Sequence, residues 1–121
     1  MSYTEYHYGK LKIVPRLESE TLEEQCKRLS KKSELPDPEY YVTWEEYLRD
    51  MFYEIYIIID NNIYEIFDHY NSNDSDFFKV ISNNNGTYTF IGNFYNGGTC
   101  LNECIEEEMI KLKIKNENKQ F

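Results

Sequence analysis

The clearest pattern along the chain is a series of strand-like segments between residues 53 and 95. The segments YEIYIIID, IYEIFDHY, FFKVIS and TYTFIGNFY are rich in β-branched and aromatic residues, which favour β-strands. The clusters Asp60-Asn61-Asn62 and Asn83-Asn84-Asn85-Gly86 separate them, and such clusters are typical of tight hairpin turns. The pattern predicts four antiparallel strands in two hairpins, and Gly92 within the last strand predicts a bulge.

A further strand is predicted before these hairpins, over residues 3–14. Lys10 and Lys12 share one face of it, and Pro15 follows directly. Charged side chains and a nearby proline protect sheet edges from unwanted pairing. We therefore expect an edge strand, which could pair with the same strand of a second copy of the chain.

Three segments have the apolar spacing of amphipathic helices. The first spans about 21–32, the second begins after Thr43, and the third begins after Thr99. Thr21 with Glu24, and Thr43 with Glu46, have the spacing of capping boxes. The apolar stripes are Leu22, Cys26 and Leu29 in the first helix, Trp44, Tyr47, Leu48, Met51 and Phe52 in the second, and Leu101, Cys104, Ile105, Met109 and Leu112 in the third.

The predicted element order is therefore β-α-α-β-β-β-β-α. This order favours an α+β fold, with a four- to five-stranded antiparallel sheet packed with about three helices. A length of 121 residues suits one hydrophobic core. We expect residues 1–121 to form a single domain, with a frayed tail over 116–121.

Charge is distributed unevenly along the chain. Residues 34–108 carry 16 acidic and 2 basic side chains, whereas the segments before and after them are mildly basic, and the net charge is −9. Proteins that bind nucleic acid directly need positive charge facing the phosphates. We therefore expect no direct nucleic-acid binding, and the acidic body favours a basic protein partner.

Sequence features that would direct the chain to or through a membrane are lacking. No apolar run approaches the roughly 18–20 residues of a membrane span, and the N-terminus has neither the basic start nor the apolar stretch of a signal peptide. Three cysteines, an odd number, argue against a disulfide framework. These features predict a cytoplasmic protein without a membrane partner.

The cysteines have two interpretations. Cys100 and Cys104 are one helical turn apart, and Cys26 lies on the first helix. If those helices pack together, the three thiolates and either His69 or His7 could form a structural zinc site. Alternatively, the cysteines are small buried hydrophobic residues, as expected from the apolar stripes that contain Cys26 and Cys104.

Motifs for catalysis are missing. The chain has two histidines and no nucleophile elbow, phosphate-binding loop or paired-histidine zinc motif. The loop at 71–76 has oxygen donors but lacks the glycine and the closing glutamate of a calcium-binding loop. We therefore expect a protein that is not an enzyme.

Acidic residues interleaved with tyrosines form the remaining candidate site. Exposed tyrosines are frequent hot spots of protein interfaces, and spaced carboxylates can stand in for DNA phosphates. The alternative is a solvated face without a partner. The candidate partner-binding residues are Glu45, Glu46, Asp50, Glu54, Tyr64, Glu65, Asp68, Tyr70, Asp74, Asp76, Glu106 and Glu107.

In size, charge and α+β style, the chain resembles small acidic inhibitors encoded by phages, in particular anti-CRISPR proteins. The resemblance implies a DNA mimic that binds a CRISPR effector nuclease in the host bacterial cytoplasm and blocks DNA loading or PAM recognition. One alternative is an immunity protein that neutralises a basic nuclease toxin. Another is a small regulatory module stabilised by zinc, in which the acidic face is incidental.

Overall fold

Five strands and three helices follow one another in the predicted order, which confirms the α+β fold. The computed structural model describes residues 4–52, 55–73, 77–95 and 101–118. The last helix continues through Asn118, and the rest of the expected tail lies outside the described residues. The elements are β1 (Thr4–Ile13), α1 (Leu22–Ser30), α2 (Trp44–Met51), β2 (Tyr56–Ile59), β3 (Asn62–Asn71), β4 (Lys79–Ser82), β5 (Thr87–Tyr95) and α3 (Leu101–Asn118).

The strand order is β2-β3-β1-β5-β4, so β1 is the middle strand of the five-stranded sheet. The prediction of an edge strand was wrong, and pairing of β1 with a second copy is excluded because both of its sides are occupied. Lys10 and Lys12 alternate with Leu11, which is fully buried. This alternation is also typical of a central antiparallel strand that has one face in contact with solvent.

Both predicted hairpin turns are present. Asp60 and Asn61 have φ values of 51° and 65°, and Ile59 pairs with Asn62, as in a two-residue turn with left-handed central residues. In the second hairpin the Asn83 N–H donates to the Thr87 carbonyl at 3.0 Å. Short-range turn chemistry thus places β2 beside β3 and β4 beside β5.

Gly92 does not form the predicted bulge against β1. The register between β1 and β5 is unbroken from Thr4 opposite Tyr95 to Lys12 opposite Thr87. Instead, Gly92 has a φ of +135°, and a Cβ added there would lie 2.0 Å from the carbonyl oxygen of Phe77. A glycine is needed because another part of the backbone passes over this position.

The helix caps agree with the sequence except in one detail. Thr21 and Glu24 form the predicted capping box of α1. Thr43 caps α2 by accepting a hydrogen bond from the Glu46 N–H at 3.2 Å. The Glu46 carboxylate, however, accepts from the Val42 N–H at 3.1 Å, one residue before the expected donor.

Met51, expected in the apolar stripe, is 52% exposed because it occupies the last position of the short helix.

The chain divides into two compact units, of which the first is Ile13–Glu65. In this unit α1 packs on α2, and α2 packs on β2. The fully buried side chain of Gln25 donates to the Val14 carbonyl at 3.0 Å, a contact that the apolar pattern did not predict. The core of this unit contains Cys26, Tyr41, Trp44, Tyr47, Leu48, Ile58 and Ile63.

The second unit comprises Met1–Lys12 and Ile66–Phe121. Here α3 packs on β4 and β5, and Leu101, Ile105 and Met109 confirm the buried stripe of the helix, whereas Cys104 and Leu112 are half-buried. Among the side chains that the structure describes, Phe90 is the largest that is fully buried. Its ring lies across Gly9 on the neighbouring strand, where an added Cβ would be 2.3 Å from the Phe90 Cζ atom.

Candidate protein-binding surface

The first unit presents a mixed acidic and aromatic surface on α2 and on the loop that precedes it. Tyr40 is 72% exposed and Val42 is 79% exposed. Carboxylates surround both residues along the chain. The α2 surface, as we name it, consists of Asp37, Glu39, Tyr40, Val42, Glu45, Glu46 and Asp50.

A turn and a series of ring contacts fix the position of Tyr40. The carbonyl oxygen of Asp37 accepts hydrogen bonds from the N–H groups of Tyr40 and Tyr41 at 2.8 and 2.9 Å. The Tyr40 ring packs edge-on against Tyr41 with a centroid distance of 4.8 Å, and Tyr41 packs in the same way against Tyr47 at 5.3 Å. Tyr40 therefore stands on a buried aromatic base rather than on a loose loop.

Hydrogen bonds also orient two of the carboxylates. The Tyr41 hydroxyl donates to Asp50 Oδ2, and the Val42 N–H donates to Glu46 Oε2 at 3.1 Å. The hydrogen bond to Asp50, together with burial, raises the pKa of Tyr41 to about 12. The phenol therefore stays neutral, and its hydrogen bond fixes the position of the exposed Asp50 side chain.

The raised pKa of Tyr41 makes stability depend on pH in the alkaline range. A neutral Tyr41 contributes its full stabilisation below the ordinary tyrosine pKa of about 10. This contribution is lost as the pH rises toward about 12, because the unfolded chain releases the proton first. We expect the free energy of unfolding of wild type to fall more steeply between these values than that of Tyr41→Phe.

Urea unfolding of both proteins from pH 8 to 11.5 measures this difference, and ¹³C-labelled tyrosine followed by NMR reports the titration of the ring directly. Asp50→Asn is the matched control, since it keeps the tyrosine but removes the charged acceptor, and it should bring the Tyr41 titration back toward its ordinary range. Identical pH profiles for wild type and Tyr41→Phe would contradict the contact between Tyr41 and Asp50.

The other predicted partner-binding residues have different surroundings. In the first unit, Glu65 is exposed, but Tyr64 is only 3% exposed. Tyr64 was therefore wrongly predicted as a contact residue, because it lies next to fully buried Ile63 in a part of β3 that is covered on both faces. Glu54, Asp74 and Asp76 lie outside the described residues.

In the second unit, Glu106 and Glu107 are exposed on α3 and, with Glu103 and Ile110, line a shallow depression. Asp68 is exposed and lies 3.8 Å from the Lys10 ammonium. Tyr70 is 56% exposed, and its ring stacks on Tyr8 at 5.0 Å. These side chains are accessible, and what distinguishes the α2 surface from them is the pair of hydrogen bonds that orients Glu46 and Asp50.

The described residues do not form the predicted zinc site. Cys26 is fully buried, and burial raises the pKa of its thiol to about 12, which disfavours the thiolate that a metal ion binds. No group of three His, Cys, Asp or Glu side chains close enough to hold a metal occurs in this part of the chain. Cys104 is half-buried on α3, and Cys100 lies outside the described residues.

His69 instead contacts His7. The distance from His7 Nδ1 to His69 Nε2 is 2.7 Å, and the ring centroids are 4.9 Å apart. From the sequence, the two histidines were predicted only as alternative ligands for the cysteine site. Their pairing joins residues that are 62 positions apart, and no local sequence signal reports such a contact.

Comparisons with known proteins add no assignment, because no protein-family model, curated protein or solved structure matches the chain. Among the helices of the described ranges, none is both long and apolar enough to cross a membrane. A binding site must therefore be inferred from the exposed side chains alone. On the α2 surface it consists of oriented carboxylates around a fixed, exposed tyrosine.

Proposed function

We propose that the protein is a binding protein that inhibits a basic partner, and that the α2 surface makes the contact. The observation that carries this proposal is Tyr40, which is 72% exposed yet held in place by Tyr41 and by the Asp37 turn. A rigid exposed tyrosine loses little conformational entropy on binding, and tyrosine is enriched among interface hot spots.

Electrostatics supports the choice of a basic partner. Asp37, Glu39, Glu46 and Asp50 are exposed around Tyr40, and Arg49 is the basic residue among them. Acidic groups at an interface accelerate encounter with a positively charged surface and disfavour partners of the same sign. Because Glu46 and Asp50 are already held by hydrogen bonds, they need little reorganisation when a partner arrives.

The specific proposal is an anti-CRISPR inhibitor. A CRISPR effector nuclease holds its guide–target duplex in a positively charged channel and reads the PAM with basic side chains. Oriented carboxylates that occupy such a surface would compete with DNA phosphates. The chain's size, its net charge of −9 and its lack of catalytic motifs support this role over that of an enzyme.

A pull-down with a panel of type II effector nucleases, loaded with guide RNA and with or without target DNA, tests the proposal. We expect binding at moderate salt that weakens as salt rises and that excludes target DNA. Binding that leaves DNA loading intact would reject the DNA-mimic mechanism in favour of a conformational block. Failure to bind any effector would reject the anti-CRISPR role, and binding to basic nuclease toxins would then support an immunity protein.

Variants of the α2 surface locate the contact once a partner is found. Tyr40→Ala should lower affinity by about tenfold or more, as expected for a hot-spot residue. The double variant Glu39→Lys/Glu45→Lys should mainly slow association and reduce its salt dependence. Neither Glu39 nor Glu45 makes the hydrogen bonds that hold Glu46 and Asp50. Because Glu45 is half-buried, urea unfolding of the double variant checks that its fold is retained.

Glu18→Lys is the matched control, because it makes the same change of charge per substituted residue at an exposed position outside the α2 surface. Surface plasmon resonance at three salt concentrations separates the association and dissociation rates. Glu18→Lys should weaken binding less, for each unit of charge changed, than the variants of the α2 surface do. An equal loss would mean that affinity depends on the net charge of the protein only. In that case the α2 surface is not the contact.

A further inference from the structure

One face of the sheet in the second unit is left open by α3. On β4, Val80 is buried, whereas Lys79 and Ile81 on either side of it are exposed. Because successive side chains of a strand point to opposite faces, α3, which packs on β4 and β5, covers the face of Val80. The opposite face, which we name the open sheet face, is in contact with solvent at β4.

The strand register shows which side chains share the open sheet face. Ile91 of β5 is paired with Lys79 of β4 and with Tyr8 of β1, and directly paired residues of antiparallel strands have their side chains on the same face. Lys10 and Lys12 follow Tyr8 at alternate positions, so they share this face as well. Strand pairing thus brings together three lysines from two separate parts of the chain.

Two stacked tyrosines form a platform on the same face. The rings of Tyr8 on β1 and Tyr70 on β3 stack with a centroid distance of 5.0 Å and an interplanar angle of 29°. Tyr70 is 56% exposed, so the ring pair extends into solvent. A base of a single-stranded nucleic acid can stack on such a ring, because every base has a π-face.

The charge of the open sheet face is opposite to that of the whole chain, which is −9. Lys12 and Lys79 are exposed, and the contact of the Lys79 ammonium with the Phe77 ring, 6.0 Å from its centroid, leaves the charge of the lysine unneutralised. Lys10 lies 3.8 Å from Asp68, and both side chains are partly exposed, so water weakens this ion pair. Among the described side chains on the strands of this face, three are therefore basic and one is acidic.

We propose that the open sheet face binds single-stranded nucleic acid, with bases stacked on the tyrosines and phosphates against the lysines. Sheet faces that combine exposed aromatic rings with basic side chains bind single strands in this way. The expectation of no direct nucleic-acid binding rests on the net charge of the chain. Exposed charges more than about 8 Å away are largely screened at physiological ionic strength, so the local charge decides at this face. This activity is independent of the partner of the α2 surface.

Fluorescence anisotropy of a labelled oligothymidylate of about 12 nucleotides, titrated with the whole chain at low salt, tests the proposal. We expect saturable binding with a Kd of about 100 µM or below, and binding should weaken as salt rises because phosphates are contacted. A labelled duplex of the same length should bind more weakly, since its bases are stacked on one another and are not available to the tyrosines.

Asp68→Asn is the most informative variant, because it should strengthen binding. The change releases Lys10 from its ion pair and removes the carboxylate that repels phosphates. Asp68 has a φ of 50°, and asparagine adopts this backbone region readily, so the fold is retained. We expect the affinity to rise by about two- to fivefold. Glu106→Gln is the matched control, since it removes an exposed carboxylate from α3, on the other side of the sheet, and should leave the affinity unchanged.

Two further variants separate stacking from charge. Tyr70→Ala should lower the affinity for the oligonucleotide by at least about fivefold, whereas Tyr70→Phe should retain it because phenylalanine also stacks on bases. Lys12→Gln/Lys79→Gln should lower the affinity and its salt dependence, since each lysine that contacts a phosphate contributes to both. Lys111→Gln/Lys115→Gln removes the same charge from α3 and is the matched control. Thermal unfolding of each variant checks that the fold is retained.

Three results would overturn the proposal. The first is a lack of saturable binding of the oligonucleotide at low salt. The second is an affinity that Tyr70→Ala does not lower or that Asp68→Asn does not raise, which would place the nucleic acid away from the open sheet face. The third is equal or tighter binding of a polyglutamate peptide of similar charge, which would assign this face to an acidic protein segment instead.

Discussion

Replacing Gly92 with alanine is expected to lower the free energy of unfolding by about 3–5 kcal/mol, because steric overlap and backbone strain add together. At a φ of +135° the new Cβ would lie 2.0 Å from the Phe77 carbonyl oxygen and 2.7 Å from the Phe78 Cα. These atoms belong to the backbone, so they cannot turn aside as a side chain can. The segment before β4 would have to move away from β5, which would disturb the hairpin that these strands form.

Gly86→Ala is the matched control for this prediction. Gly86 also has a positive φ, of +83°, but an added Cβ would have no atom within 4 Å. Its replacement should cost only the backbone strain, about 1 kcal/mol. Urea unfolding of the two variants compares the costs directly. If Gly92→Ala is no less stable than Gly86→Ala, the backbone does not pass as closely over Gly92 as the structure indicates.

Phe90→Ala is expected to lower the free energy of unfolding by a similar amount, about 3–5 kcal/mol. Phe90 is fully buried, and its ring contacts His69 at a centroid distance of 5.8 Å and Phe78 at 6.0 Å. Removing the ring leaves a cavity beside Gly9, His69 and Phe78. A domain with a total stability of about 5–15 kcal/mol would be close to unfolding.

The contact between Phe90 and Gly9 gives this prediction a sharper form. Gly9→Ala alone should cost about 1–3 kcal/mol because its Cβ overlaps the Phe90 ring. In a Phe90→Ala background the same substitution should be nearly neutral, since the ring is gone. The two changes should therefore be coupled by about 1–3 kcal/mol in a double-mutant cycle.

Gly86→Ala in the Phe90→Ala background is the control for that cycle, because the hairpin turn is separate from the ring and the two effects should add. Thermal and urea unfolding of the single and double variants provide the values. Additivity of Gly9→Ala with Phe90→Ala would show that the ring does not lie across Gly9.

The features that the sequence predicted correctly are local. The Thr21–Glu24 capping box and the turns at Asp60-Asn61 and Asn83–Gly86 depend on residues within four positions of each other. Their hydrogen bonds follow from backbone geometry that a few side chains determine. The helix stripes were predicted for the same reason, since the spacing of apolar residues reports which face is buried.

The errors concern non-local contacts. The two lysines on β1 are equally compatible with an edge strand and with a central strand that has one solvent-exposed face. Only the pairing of β1 with β3 and β5 decides between an edge and a central position. Tyr64 was expected at the surface because the acidic Glu65 follows it. The burial of both Ile63 and Tyr64 depends on what covers each face of β3, which local alternation does not specify.

The candidate site was predicted in its composition but not in its geometry. Acidic residues and tyrosines around α2 were evident in the sequence, yet Tyr40 is 72% exposed whereas its neighbour Tyr41 is 7% exposed. The difference arises from the Asp37 turn and from the bond between Tyr41 and Asp50. The contact between His7 and His69 was likewise hidden, because strand pairing alone brings them together.

The central position of β1 has a consequence for how the chain folds during synthesis. β1 ends at Ile13, but its neighbours in the sheet are β3 and β5, which end at Asn71 and Tyr95. A ribosome adds about 5–20 residues per second, so β1 waits several seconds for its second neighbour to be made. Until then β1 lacks one of its two neighbours in the sheet, and folding that depends on such distant pairing is slow. Early interruption of translation would therefore release a chain that cannot complete its sheet.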